Sequence, residues 1–109
     1  MLDELFGSKN RERVLQYIFV NKQGYAKEIA DFYNSSVDPI KKQLERLELG
    51  GVLVSQTAGR TRLFMLNPRY AFKEELEALL TKAQSYYSDK ERERLLMQRK
   101  RPRRTAKPL

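Results

Sequence analysis

The sequence predicts a mainly α-helical domain with one small β-hairpin, arranged as a three-helix core, the hairpin and a long C-terminal helix. Apolar residues recur at helical spacing in four segments between residues 8 and 87, and Ser, Asn, Gly or Pro separates these segments. Two short apolar segments near the middle of the chain flank a connection that contains Gly59. These observations predict the order helix, helix, helix, hairpin, helix.

The composition limits the function classes. The chain has 109 residues, with 22 Lys and Arg against 14 Asp and Glu, a formal net charge of +8, and neither Cys nor His. This length suits one domain. Zinc sites built on Cys and His, disulfides and the usual nucleophile and base pairs are excluded. We therefore expect neither an enzyme nor a cofactor nor a metal site.

The N-terminal segment has none of the features of an export signal. Asp3 and Glu4 lie where a signal peptide carries positive charge. Charged residues also interrupt every apolar run before it reaches the roughly 18 residues that span a bilayer. We expect a soluble, cytoplasmic protein without a membrane partner.

The positive charge is concentrated at the C-terminus. Residues 1–89 hold 13 basic and 12 acidic groups, whereas residues 90–109 hold 9 basic and 2 acidic groups. The last twenty residues include two prolines and show no apolar periodicity. We interpret 90–109 as a basic, flexible tail that attracts a polyanion such as nucleic acid, and 1–89 as the folded domain. The alternative is a solvated end without a partner.

The first two helices are predicted from their caps and apolar stripes. Ser8 is a candidate N-cap of a helix that runs to about Asn21, in which Val14, Leu15, Ile18 and Phe19 form one stripe. A shorter helix from about Ala26 to Tyr33 follows. Asn34, which tolerates the left-handed conformation, is predicted to end it.

The third helix is predicted from Ser36 to about Leu49. With Ser36 as N-cap, Pro39 takes the third helical position, where its missing N–H loses no intrahelical bond. Ile40, Leu44 and Leu47 recur on one face. Gly50 and Gly51 follow as a stop signal. Because the apolar residues lie on one face and the charged residues on the other, this helix is amphipathic.

A β-hairpin and a final helix complete the prediction. Strands over 52–56 and 62–66 are joined by a five-residue connection, 57–61. The last helix is predicted from about 71 to 87, and its continuation through Arg94 to Gln98 is the alternative. Its apolar residues follow steps of four and three: Phe72, Leu76, Leu79, Ala83 and Tyr86.

This seam has two interpretations. As core, it covers the first helix and the leading apolar residues Leu2, Leu5 and Phe6. As an interface, it pairs with the same helix of a second copy, with the leading residues adding contacts because two heptads make a short coiled coil. We favour the homodimer, which would place two third helices about 34 Å apart, one turn of DNA.

The stretch from Leu5 to Pro68 resembles the winged helix-turn-helix domain of ArsR-type and related transcriptional regulators of bacteria and archaea. The matching segments are 8–21 as first helix, 26–30 in the support helix, 36–47 in the recognition helix, 51–55 leading into the wing and 59–62 at its tip. Asn34 and Ser35 depart from the Gly and apolar residue usual there. The resemblance implies sequence-specific DNA binding and transcription regulation, without metal sensing, because Cys and His are missing.

The candidate DNA contacts lie on the third helix and the wing. An α-helix fits the major groove, and its N-terminal side chains reach base edges. Lys41 and Lys42 can donate to guanine, Gln43 can pair with adenine, and Arg46 suits a phosphate. The resemblance implies that Arg60 enters the minor groove and that Arg62 binds phosphate. The full set is Ser36, Val37, Asp38, Lys41, Lys42, Gln43, Arg46, Arg60 and Arg62.

Two alternatives accompany this prediction. The charged face of the third helix can be an ordinary solvated surface, in which Lys41 and Glu45 are neighbours at i, i+4. The domain can also be a protein-interaction module that does not bind specific DNA. RNA binding is less favoured because no aromatic stacking platform is evident.

Overall fold

The computed structural model describes the backbone of residues 1–100 and the side chains of residues 1–97. A short α1 (Asp3–Phe6) precedes the central α2 (Lys9–Asn21). The strand β1 (Gly24–Tyr25) leads into α3 (Ala26–Phe32) and α4 (Val37–Leu49). The hairpin consists of β2 (Leu53–Ala58) and β3 (Thr61–Leu66), and the chain continues as α5 (Lys73–Gln84) and α6 (Asp89–Lys100). The predicted class, mainly α with a small antiparallel sheet, is confirmed.

The core forms around α2 from the predicted apolar stripes. Val14 and Ile18 of α2 are fully buried, together with Ile29 of α3 and Ile40 and Leu44 of α4. Burying one such side chain contributes about 1.5–3 kcal/mol. These stripes therefore fix α3 and α4 against α2 and leave the opposite face of α4 to solvent.

The predicted caps are confirmed. The Ser8 hydroxyl accepts the Arg11 amide at 3.2 Å. Ser36 has the extended backbone of an N-cap, so Pro39 is the third residue of α4 as predicted. Asn34 adopts the left-handed conformation with φ 53°. The α3 helix ends at Phe32, one residue before the predicted Tyr33.

The hairpin is longer and its turn tighter than predicted. Pairing continues to Ala58 and Thr61, so the loop contains only Gly59 and Arg60 and the predicted five-residue connection is wrong. Gly59 has φ +65°, a conformation that favours glycine and suits a two-residue hairpin loop. The sequence predicts Thr57 just outside the first strand and Arg62 as the first residue of the second. The two residues pair because cross-strand hydrogen bonding does not require buried side chains.

The sheet has a third strand, β1, which the sequence pattern does not predict. Gly24 pairs with Phe64 and Tyr25 with Leu63, giving the strand order β1-β3-β2. A Cβ on Gly24 would lie 3.0 Å from Tyr17 Cε1. Glycine therefore permits this close approach, and two residues are too short to show a periodicity.

The C-terminal region contains two helices instead of the predicted single one. The α5 helix ends at Gln84, and turn bonds follow, including the Tyr86 N–H to the Ala83 carbonyl at 3.0 Å. Gln16, which is fully buried, holds α5 against α2: its Nε2 donates to the Leu80 carbonyl at 2.9 Å, and its Oε1 accepts from Gln84 at 2.8 Å.

The α6 helix occupies the first part of the segment predicted to be a tail. The Ser88 hydroxyl accepts the Glu91 N–H at 3.2 Å, and the Glu91 carboxylate accepts the Ser88 N–H at 3.3 Å. This capping box starts a new helix, and Leu95, only 4% exposed, anchors it. The expected boundary near residue 89 therefore does not separate the folded part from a tail. The rest of the predicted tail, 101–109, lies outside the described residues.

Candidate nucleic-acid interface

The helix-turn-helix is formed by α3, α4 and the four residues between them. The Ser35 amide donates to the Ala30 carbonyl at 2.8 Å, and the Asn34 amide donates to the Asp31 carbonyl at 3.1 Å. With Asn34 left-handed, the chain leaves α3 in a tight turn and enters α4 at Ser36. The turn is closed without the glycine that such motifs usually have here.

The outer face of α4 carries cations that face solvent. Lys41, Lys42 and Arg46 are exposed, while Ile40 and Leu44 on the other face are fully buried. Within the described part of the chain, none of the three cations forms an ion pair. This arrangement is compatible with the predicted DNA contacts and also with the solvated alternative, in which Lys41 and Glu45 are only neighbours on the helix. We call Lys41, Lys42, Arg46 and Arg60 the α4–wing surface.

Three other predicted residues lie at the beginning of α4. Ser36 and Asp38 are exposed, and the Ser36 side chain makes no cap bond. Val37 is half-buried and packs against the core. The α4 N-terminus is thus open to solvent at Ser36 and Asp38, where its first amide groups have no intrahelical acceptor.

Gln43 makes an internal contact. Its Oε1 accepts a hydrogen bond from Arg11 Nε at 2.9 Å, and Arg11 also donates to the Phe6 carbonyl at 3.2 Å. Gln43 is half-buried. It therefore ties α4 to α2 and to the end of α1, and base pairing through this amide would require that bond to be given up.

The two arginines of the wing differ. Arg60 lies at the tip of the hairpin, is exposed and makes no ion pair within the described residues. Arg62 Nη2 lies 2.5 Å from Glu48 Oε1 and 2.8 Å from Ser55 Oγ. Ser55 in turn donates to Glu48 Oε2 at 2.5 Å. We call Arg62, Ser55 and Glu48 the Arg62 latch; it holds the hairpin beside the end of α4.

The predicted dimerisation residues do not form one exposed seam. Leu5, Phe72 and Tyr86 are 67%, 61% and 64% exposed, whereas Ala83 is 3% exposed and belongs to the core. The others, which are half-buried, are Leu2, Phe6, Leu76 and Leu79.

The α5 register explains this division. Leu80, which the predicted seam omitted, is fully buried, and Phe72 and Tyr86 lie outside α5. The interpretation as core applies to Ala83, which is buried, and to Leu2, Phe6 and Leu76, which pack against the core. The exposed members are Leu5, Phe72 and Tyr86.

Among the described residues, no cluster of three or more Asp or Glu side chains has metal-binding geometry, and no helix is long and apolar enough to span a bilayer.

Comparison with known proteins identifies the fold. No family model matches the chain, and no curated protein matches it. Among solved structures, the chain is similar to the adhesin competence repressor AdcR of Streptococcus pyogenes, with a TM-score of 0.55, 15% identity and 84% of each chain covered. A ZitR mutant of Lactococcus lactis in its apo form gives a TM-score of 0.48, also at 15% identity and 84% of each chain. The chain has a winged helix-turn-helix fold; the narrower ArsR-type resemblance stays a prediction.

Proposed function

We propose that this protein is a sequence-specific DNA-binding regulator of transcription. The observation that carries the proposal is the α4–wing surface: four exposed cations without carboxylate partners in the described part of the chain, on the two elements that a winged helix presents to DNA. The likeness to AdcR, which is named a repressor, supports it at the level of the fold. Such a regulator would act in the cytoplasm.

In the proposed complex α4 enters the major groove. Lys41 and Lys42, on the first two turns of the helix, donate to guanine O6 and N7. The free amides near Ser36, Val37 and Asp38 hold a phosphate at the helix N-terminus. Arg46 binds a phosphate further along, and Arg60 enters the adjacent minor groove.

Two predicted contacts take different roles in this proposal. Gln43 supports α4 through its bond to Arg11 instead of reading adenine. Arg62 sets the position of the wing through Glu48 instead of binding phosphate, because its guanidinium is already paired with a carboxylate. Both residues then affect DNA binding through the geometry of the interface.

We also propose that the protein binds DNA as a homodimer. Leu5 and Phe72 are large, exposed side chains outside the helix-turn-helix, and burying them would be favourable. A two-fold axis would place both copies of α4 about 34 Å apart on a palindromic site. Analytical ultracentrifugation tests this, with Leu5→Ser and Phe72→Ser expected to shift a dimer to monomer.

Selection of bound sequences from a random duplex pool tests the proposed function. We expect a shared half-site, and an affinity for the selected duplex about a thousandfold above that for a scrambled duplex at physiological salt. Equal affinity for the two duplexes would contradict the proposal and would leave the protein-interaction module. A shared motif without a repeat would contradict only the dimer.

A further inference from the structure

A cavity of about 420 Å³ lies between α2, the end of α3 and α6, apart from the α4–wing surface. Its described lining includes the aromatic residues Phe32, Tyr33, Tyr86 and Tyr87, and none of the predicted DNA contacts. Pockets for small molecules usually measure about 300–1,000 Å³. This volume is thus in the range of a ligand site, and we call it the aromatic cavity.

The carboxylates that line the aromatic cavity are already engaged. Glu12 accepts the Leu2 amide at 2.6 Å and the Tyr87 hydroxyl. Asp3 lies 3.2 Å from the amino group of Met1, and Glu91 caps α6 through Ser88. These acidic groups have partners within the protein, so they would not need a cation from solution.

The two guanidiniums of the cavity have only neutral partners. Arg13 donates to Asn10 Oδ1 at 3.2 Å and lies 5.3 Å from the centre of the Tyr33 ring. Arg94 donates to the Phe32 carbonyl and lies 4.3 Å from the Phe32 ring. Neither forms an ion pair within the described part of the chain. Each retains N–H donors that suit a planar, two-oxygen acid group.

Tyr33 connects these two arginines. Burial raises the pKa of its phenol, and the charge of Glu12 raises it further, while the charges of Arg13 and Arg94 act to lower it. Both guanidiniums therefore act on one half-buried phenol. An anion placed beside that phenol would meet the half-buried Arg13, whose attraction is stronger than that of a fully solvated cation, and the exposed Arg94. The nearby Glu12 is itself paired with the Met1 amino group at 3.3 Å.

The aromatic residues indicate the rest of the ligand. Phe32 packs edge-to-face on Tyr33, with ring centres 4.8 Å apart, so one wall is fixed. Tyr86 is 64% exposed although it lines the cavity, which leaves part of its ring uncovered. A cavity of about 150 Å³ holds benzene, so this larger one has room for about two rings and an acid group.

We propose that the aromatic cavity binds a planar organic anion, whose carboxylate pairs with Arg13 and Arg94 and whose ring lies against Tyr86. This ligand site is separate from the proposed DNA function and is tested in the absence of DNA. It joins the end of α3 to α6, two elements that are far apart in the sequence.

Isothermal titration of the full chain with 2-naphthoate tests the site, with the uncharged 2-naphthamide as matched probe. We expect saturable binding of the acid with a Kd below about 1 mM, and binding of the amide weaker by about tenfold or more. Absence of saturation by the acid, or equal affinity for acid and amide, would overturn the proposal.

Variants distinguish binding at the aromatic cavity from nonspecific attraction to positive charge. Arg13→Gln on α2 and Arg94→Gln on α6 should each weaken 2-naphthoate about tenfold. Arg92→Gln is the control, because Arg92 lies on α6 but pairs with Asp89 and does not line the cavity. Circular dichroism checks that each variant is folded, and Arg13→Gln remains decisive if Arg94→Gln loosens α6. Equal affinity of folded Arg13→Gln and the unmodified chain would contradict the site.

Discussion

The α4–wing surface and the aromatic cavity both present cations without carboxylate partners, but only those of the cavity lie against aromatic rings. Lys41, Lys42 and Arg60 project into solvent from α4 and a hairpin tip. Arg13 and Arg94 are held against ring faces at the other site. Exposed cations suit an extended polyanion and are screened by salt. Guanidiniums oriented against aromatic rings suit one small anion. The surroundings of a positive charge therefore indicate the kind of anion it binds better than the presence of the charge alone.

Truncating one buried side chain of α4 tests how much the buried face of this helix contributes to the free energy of unfolding. Leu44→Ala truncates a fully buried side chain and should lower the free energy of unfolding by about 2–5 kcal/mol. Urea denaturation measures this. Lys41→Ala, one turn earlier on the exposed face, is the matched control and should change stability by less than about 0.5 kcal/mol. Similar losses for both would contradict the assignment of the two faces.

Deleting residues 101–109 separates bulk charge from recognition. The segment holds four cations: Arg101, Arg103, Arg104 and Lys107. If all four contact phosphates, the slope of log K against log salt should fall by about 3.6, since each contributes about 0.9. The ratio of affinities for selected and scrambled duplexes should not change. An unchanged slope would show that the segment does not contact DNA, and a lost ratio would place recognition there.

The Arg62 latch gives a prediction in which the direction of the change in DNA affinity distinguishes two roles of Arg62. If Arg62 positions the wing, Glu48→Gln and Arg62→Gln should both weaken binding of the selected duplex, by about three- to tenfold, because each breaks the same contact. If Arg62 binds phosphate, Glu48→Gln should instead strengthen binding, since it frees the guanidinium. Fluorescence anisotropy distinguishes the two. Gln56→Glu, on the exposed part of β2, controls for a general charge effect.

The phenols of the aromatic cavity give the smallest expected effect, in alkaline solution. Burial raises the pKa of Tyr33 and of Tyr87, and the hydrogen bond from Tyr87 to Glu12 raises that of Tyr87 further. The contribution of each phenol to stability is therefore complete below the ordinary pKa of about 10 and is lost as the pH rises above it. Tyr33→Phe should make the decline of the urea midpoint less steep above about pH 10. An unchanged decline would contradict the burial of this phenol.

Local rules predicted the parts of the fold that depend on a few neighbouring residues. Ser8, Asn34 and Ser36 have the predicted capping or turn conformations, and Ile40, Leu44 and Leu47 face the core as their spacing indicated. These features follow from backbone geometry within one or two turns. They were enough to predict the winged helix-turn-helix fold.

Contacts between distant residues set the rest. Glu48 and Arg62 are 14 positions apart, and Gln43 and Arg11 are 32 apart, so spacing on one helix could not reveal either pair. Leu79 and Leu80 fit nearly the same helical stripe, and only packing against α2 shows that Leu80 is the buried one. One missed feature did have a local signal, since Ser88 and Glu91 form a capping box that predicts the beginning of α6.

Recognition of DNA by the α4–wing surface is tested most directly by one affinity ratio. Fluorescence anisotropy at physiological salt compares the selected and scrambled duplexes for the unmodified chain and for two triple variants. The first triple variant combines Lys41→Ala, Lys42→Ala and Arg60→Ala. It should lower the affinity for the selected duplex about a hundredfold or more and reduce the ratio of the two affinities towards one. The control removes the same charges from exposed Arg69, Lys82 and Lys90 and should keep the ratio. Equal loss in both variants, or an unchanged ratio in the first, would contradict recognition by this surface.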